Sequence, residues 1–124
     1  MHGQSTDIPL VIIRYDNTKS PARITATVKY RTDGAKVDNA PEKFLTFGAV
    51  GVDTDINYQI KVINGVAVVT VNGLTQSQNF YATDQNWTNV NFYFKAGAYY
   101  VGNGGTTNPA QVSFYELTMK HVAN

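Results

Sequence analysis

Tyr58-Gln59-Ile60-Lys61-Val62-Ile63-Asn64-Gly65-Val66-Ala67-Val68-Val69-Thr70-Val71-Asn72-Gly73-Leu74 decides the fold class. Two Asn-Gly pairs interrupt runs rich in valine and isoleucine. Asn-Gly readily accepts positive φ at both central positions of the tight turn whose twist matches two paired strands. The spacing predicts two successive hairpins, Tyr58–Ile63 with Val66–Val71 and then a strand from Leu74, and hence an antiparallel meander.

Working outward, the same strand chemistry continues. Pro9 to Tyr15 is almost continuously apolar until Arg14, as expected of a strand covered on both faces, and it ends in the turn Asp16-Asn17-Thr18-Lys19-Ser20-Pro21. Arg23 to Arg31 sets Ile24, Ala26, Val28 and Tyr30 against Arg23, Thr25, Thr27, Lys29 and Arg31, so one side should meet solvent. A polar loop from Thr32 to Pro41 leads to Lys43-Phe44-Leu45-Thr46-Phe47, and Gly48 to Ile56 connects this run to the hairpins.

Downstream, Thr83 to Asn89 is a polar loop around Trp87. Next comes Tyr93-Phe94-Lys95-Ala96-Gly97-Ala98-Tyr99. A period of two places Phe94, Ala96 and Ala98 on one face and Tyr93, Lys95, Gly97 and Tyr99 on the other. Two phenols and an ammonium with a glycine gap suit a polar, extended ligand, which makes this a candidate site. The glycine-rich loop Gly102 to Pro109 is expected to act as a rim or lid, and Gln111 to Lys120 to form a final strand. No segment has sustained helical spacing, and neither an internal repeat nor a linker is visible, so the chain reads as one all-β domain over residues 1–124.

Composition excludes several classes. Net charge is +1 with only 15% charged residues, too weak a field to draw nucleic acid or an anionic membrane surface. Cysteine is absent, which removes disulfides, thiolate metal sites and thiol nucleophiles. His2 and His121 are the only histidines and the acids do not cluster, so no metal site and no cofactor are expected. Gly-x-Ser-x-Gly and a phosphate-cradling Gly-Lys-Ser/Thr are both missing. No signal peptide is read at Met1-His2-Gly3-Gln4-Ser5, and no apolar run is long enough to span a bilayer. Asn86-Trp87-Thr88 is a glycosylation triplet of the kind that arises often by chance. What remains is Tyr, Lys and His chemistry on a sheet. Taken singly, Tyr93 and Tyr99 read as packing aromatics, Lys95 as a solvated cation and His2 as a frayed terminus.

Taken together, the stretches resemble alginate lyases of polysaccharide lyase family seven. Tyr93-Phe94-Lys95-Ala96-Gly97-Ala98-Tyr99 is similar to that family's Y-F-K-A-G-x-Y signature. Tyr58 to Val62 with Asn64-Gly65, Val69-Thr70-Val71-Asn72-Gly73, the closing Val112 to Leu117, and Pro9-Leu10 leading to Arg14-Tyr15 follow in the family's order. Met1-His2-Gly3 stands where the family has Q-I-H or Q-V-H followed by glycine, so His2 corresponds to the catalytic histidine while the glutamine is absent. After the second tyrosine the family usually has Asn-Gln; this chain has Tyr100-Val101, which bears on subsites and polymer preference.

The resemblance implies an antiparallel β-sandwich of jelly-roll, concanavalin A-like type, here a partial one, because the R-T/S-E-L segment whose arginine binds the substrate carboxylate is not among these residues. It implies cleavage of an anionic uronate polymer, alginate above all, by β-elimination, in an enzyme that is secreted in its full-length form. Tyr99 would exchange the proton with the C5 carbon or the departing oxygen, and His2 would assist at the carboxylate or act as base. Lys95, Tyr93 and Arg14 would bind substrate. Lys95 is roughly 13 Å along the strand from Tyr99, better placed to hold substrate than to activate the phenol. Without the arginine and glutamine, about 5–8 kcal/mol of transition-state stabilisation is missing, so the chain alone should turn over slowly. A glucuronan lyase, a non-catalytic carbohydrate-binding β-sandwich and a partial reading frame that never accumulates are the alternatives. Half a jelly roll leaves open edges and apolar faces beside Val11, Ile13 and Phe92, so self-association and poor solubility are expected.

Overall fold

A computed structural model of the chain describes residues 9–30, 42–80, 94, 96–97 and 111–120, together with the backbone of His2–Gly3 and Phe92–Tyr93. The chain divides into two compact units, Met1–Tyr93 and Phe94–Asn124. Every regular element among the described residues is a strand: β1 (His2–Gly3), β2 (Val11–Asp16), β3 (Arg23–Lys29), β4 (Glu42–Ala49), β5 (Tyr58–Ile63), β6 (Val66–Val71), β7 (Leu74–Asn79) and β8 (Phe92–Tyr93). They form two three-stranded antiparallel sheets, β2-β3-β4 and β5-β6-β7, and a two-stranded ladder of β1 with β8.

The two expected hairpins are present. Asn64 and Gly65 have φ of 49° and 76°, and Asn72 and Gly73 have 49° and 84°, the positive pairs that a type I′ turn requires. At the second turn the Asn72 amide donates to the Asn57 carbonyl (2.8 Å), and the Asn72 Oδ1 accepts from the Asn57 amide (2.9 Å). This closes the start of β5 against the β6–β7 turn. At the other end the Phe80 amide donates to the Gly65 carbonyl (2.9 Å).

The first unit's core lies between the two large sheets, with β3 facing β6 and β4 facing β7. Ile24, Ala26 and Val28 from β3, Leu45 and Phe47 from β4, and Ala67, Val69 and Val71 from β6 are buried together with Leu10, Val11, Val50 and Phe80. Those from β3, β4 and β6 lie on the inward face of a period-two pattern, and full burial of a Val, Leu or Phe side chain contributes about 1.5–3 kcal/mol. The Gln76 side-chain amide donates to the Thr46 carbonyl, tying β7 to β4. The result is an all-β, partial sandwich of antiparallel sheets, as the sequence predicted.

Several local expectations change. Among the described residues the apolar run before Arg14 is an edge strand, paired on one side alone: Val11 is buried, Ile12 and Ile13 are half-buried, and Arg14 and Tyr15 are exposed. Val11 therefore does not lie beside an uncovered face. On β3 the side expected to meet solvent is largely covered: Thr27 is buried and Arg23, Thr25 and Lys29 are half-buried, since β3 is central with side chains of β2 and β4 on both flanks. Gln111–Lys120 is not a strand. All ten residues are exposed and none joins a ladder, and an extended segment becomes a strand only when a neighbour takes up its N–H and C=O groups. The loops expected at Thr32–Pro41, Thr83–Asn89 and Gly102–Pro109, and the triplet Asn86-Trp87-Thr88, lie outside the described residues.

Candidate active site

The ladder of β1 with β8 joins residues some ninety positions apart in sequence. His2 is the Cα partner of Tyr93, and Gly3 of Phe92. Antiparallel partners sit about 4.5–5.5 Å apart, so the backbone sets the histidine directly beside the residue that opens the Tyr-Phe-Lys segment. The side chains of His2 and Tyr93, and the whole of Lys95 and Tyr99, lie outside the described residues.

Beyond Tyr93 the segment departs from the continuous strand that alternation predicted. Strand pairing stops at Tyr93; Phe94 is half-buried, Ala96 and Gly97 are exposed, and Gly97 forms a bend. Ala96 therefore does not share a covered apolar face with Phe94. Among the described residues, nothing lies within 4 Å of a Cβ added at Gly97.

Arg14 is placed elsewhere. It is exposed on β2, opposite Thr25, in the β2-β3-β4 sheet rather than in the β1–β8 ladder. Its face of the sheet also carries Asp16 and Arg23, which are cross-strand partners. The Asp16 carboxylate accepts from the Thr18 hydroxyl and from the Thr18 amide (2.9 Å), and these bonds hold it below its ordinary value of 3.8, with Lys19 and Arg23 adding to the effect. Lys29 and Glu42, partners across β3 and β4, form an ion pair of 3.2 Å. Among the described residues no group of His, Asp or Glu is arranged to hold a metal ion.

Fold and ladder define the class first: an all-β sandwich protein in which a histidine-bearing strand pairs with the strand that opens a Tyr/Lys segment. A family model described as alginate lyase matches residues 1–121, nearly the whole chain, and the chain belongs to the alginate lyase family. Membership supports polysaccharide lyase function in general, with a polysaccharide as substrate; members of the family are usually extracellular. Comparisons with curated proteins and with solved structures return no match.

Proposed function

We propose that the protein is a lyase, or the catalytic portion of one, that cleaves a uronate polymer, alginate above all, by β-elimination, with Tyr99 as acid and base and His2 assisting at the carboxylate or serving as base. Lys95, Tyr93 and Arg14 are its substrate contacts. The observation that supports this reading most is the ladder that makes His2 the partner of Tyr93, together with a family match that runs through both.

The chemical task is to remove a proton from the weakly acidic carbon next to a carboxylate. Donors aimed at that carboxylate stabilise the charge as it develops, and removing one such donor elsewhere costs about 3–4 kcal/mol. A phenol with an ordinary pKa near ~10 becomes a useful base when a cation or polar donor favours its ionised form. In a syn elimination one phenol can take the C5 proton and return it to the departing glycosidic oxygen.

These 124 residues contain no R-T/S-E-L segment and no glutamine before His2 at position 1. Two absent donors amount to about 5–8 kcal/mol, or roughly a 10⁴–10⁶-fold lower rate for the chain alone. The test is the ultraviolet absorbance of the unsaturated uronate formed from polymannuronate, polyguluronate or glucuronan. Slow cleavage abolished by Tyr99→Phe is expected. Robust turnover by the 124-residue chain, or cleavage that survives Tyr99→Phe, overturns the assignment. Binding without any cleavage, in this chain and in one extended upstream, would favour a non-catalytic carbohydrate-binding sandwich.

A further inference from the structure

We propose that the outer face of the β2-β3-β4 sheet is a contact surface for a carboxylated polysaccharide, with Arg14 clamping a carboxylate and Phe44 carrying a sugar ring. The proposal rests on the reading of the protein as a uronate-polymer lyase and assigns Arg14 a specific surface within it.

Register places two rows of side chains side by side on this face. One row runs Arg14, Thr25, Thr46 across the three strands; the next runs Ile12, Thr27, Phe44. Paired positions lie about 5 Å apart, so each row spans roughly 10 Å, enough to lay consecutive sugar units across the sheet. Phe44 is 63% exposed, because the alternation that buries Leu45 and Phe47 turns it outward. A single exposed aromatic is common on protein surfaces and by itself means little.

Three further observations single out this face. The first is charge: both acids on it are engaged, Asp16 by Thr18 and Glu42 by Lys29, whereas the Arg14 guanidinium has no hydrogen bond or ion pair among the described residues. A planar guanidinium in no ion pair is suited to two parallel bonds to a carboxylate. The second is unmet polarity: the Thr27 hydroxyl, on a residue 1% exposed, and the buried Arg23 Nε have no hydrogen-bond partner among the described residues. The third is composition, since threonines at Thr25 and Thr46 continue the row from Arg14 across the sheet, and the Phe44 ring in the next row can pack against the C–H face of a pyranose. Asp16 carries a negative charge on the Arg23 side of Arg14, so a substrate carboxylate approaches from the Ile12 and Thr25 side.

The full 124-residue chain in a Tyr99→Phe background, which is not expected to cut the polymer, is titrated calorimetrically with a mannuronate oligosaccharide and with an uncharged β-1,4-glucan oligosaccharide. Arg14→Gln should weaken mannuronate binding about tenfold and leave glucan binding unchanged, while Arg14→Lys recovers part of the loss. Phe44→Ser should weaken both several-fold. Lys43→Gln removes an equal charge from the opposite face of β4 and should leave both unchanged. Thermal unfolding of each variant separates lost binding from lost fold. The proposal is overturned if the Tyr99→Phe chain does not bind mannuronate, if Arg14→Gln changes its affinity less than twofold, or if Lys43→Gln costs as much as Arg14→Gln. Cleavage persisting in Tyr99→Phe would refute the lyase mechanism; an inert Tyr99→Phe with an indifferent Arg14→Gln refutes this surface alone.

Discussion

Replacing Asn72 tests the turn chemistry on which the fold reading depends. Asn72 has φ of 49°, and its Oδ1 accepts the Asn57 amide at 2.9 Å. Asn72→Ala loses that bond, worth about 1 kcal/mol net, and puts a Cβ-bearing residue without a local polar partner in the left-handed region, another ~1 kcal/mol. The expected total is about 2 kcal/mol. For a chain of 124 residues, with an unfolding entropy near 2.1 cal/mol/K per residue, each kcal/mol moves Tm by about 4 °C, so Asn72→Ala should melt roughly 8 °C lower. Asn72→Asp keeps both the acceptor and the tolerance of positive φ and should stay within about 2 °C of the parent. Thermal unfolding followed by circular dichroism measures both, and amide exchange at Asn57 should quicken in the alanine variant but not in the aspartate one. Equal shifts for Ala and Asp, or a shift under about 2 °C for Ala, would refute the reasoning.

The acid dependence of the β2–β3 turn follows from Asp16. Its folded value lies below the ordinary 3.8 through the Thr18 bonds, so its stabilisation is present above 3.8 and is lost as pH falls through the lower folded value. The melting difference between the parent and Asp16→Asn should therefore be largest near about pH 7 and vanish near about pH 2; a difference independent of pH contradicts this. Self-association, if driven by open apolar chain, should run through Val112, Phe114, Leu117 and Met119, all exposed. Phe114→Lys with Leu117→Lys should shift light scattering toward monomer, and an unchanged mass would point to another surface.

Much of the framework is readable from local chemistry. The two Asn-Gly pairs predicted the β5-β6-β7 meander with the bounds of β5 and β6 and the start of β7, because turn type and register follow from φ preferences that each residue carries with it. Alternation likewise predicted one covered face of β3, where Ile24, Ala26 and Val28 are buried. At the candidate site the sequence pointed to His2 and Tyr93 through a resemblance, and the ladder places their backbones side by side. Phe44 went unremarked, although the same period that buries Leu45 and Phe47 already turned it outward.

Propensity and turn chemistry, properties of a few adjacent residues, thus determined from sequence alone that the chain is all-β and where its hairpins turn. Only the tertiary structure decided which strands have neighbours. That is why, among the described residues, the apolar run from Val11 became an edge strand with Arg14 in the open, why Thr27 is buried on the supposedly wet side of β3, and why Gln111–Lys120 joins no ladder. Strand identity depends on a partner brought from far along the chain, and no local pattern specifies that partner.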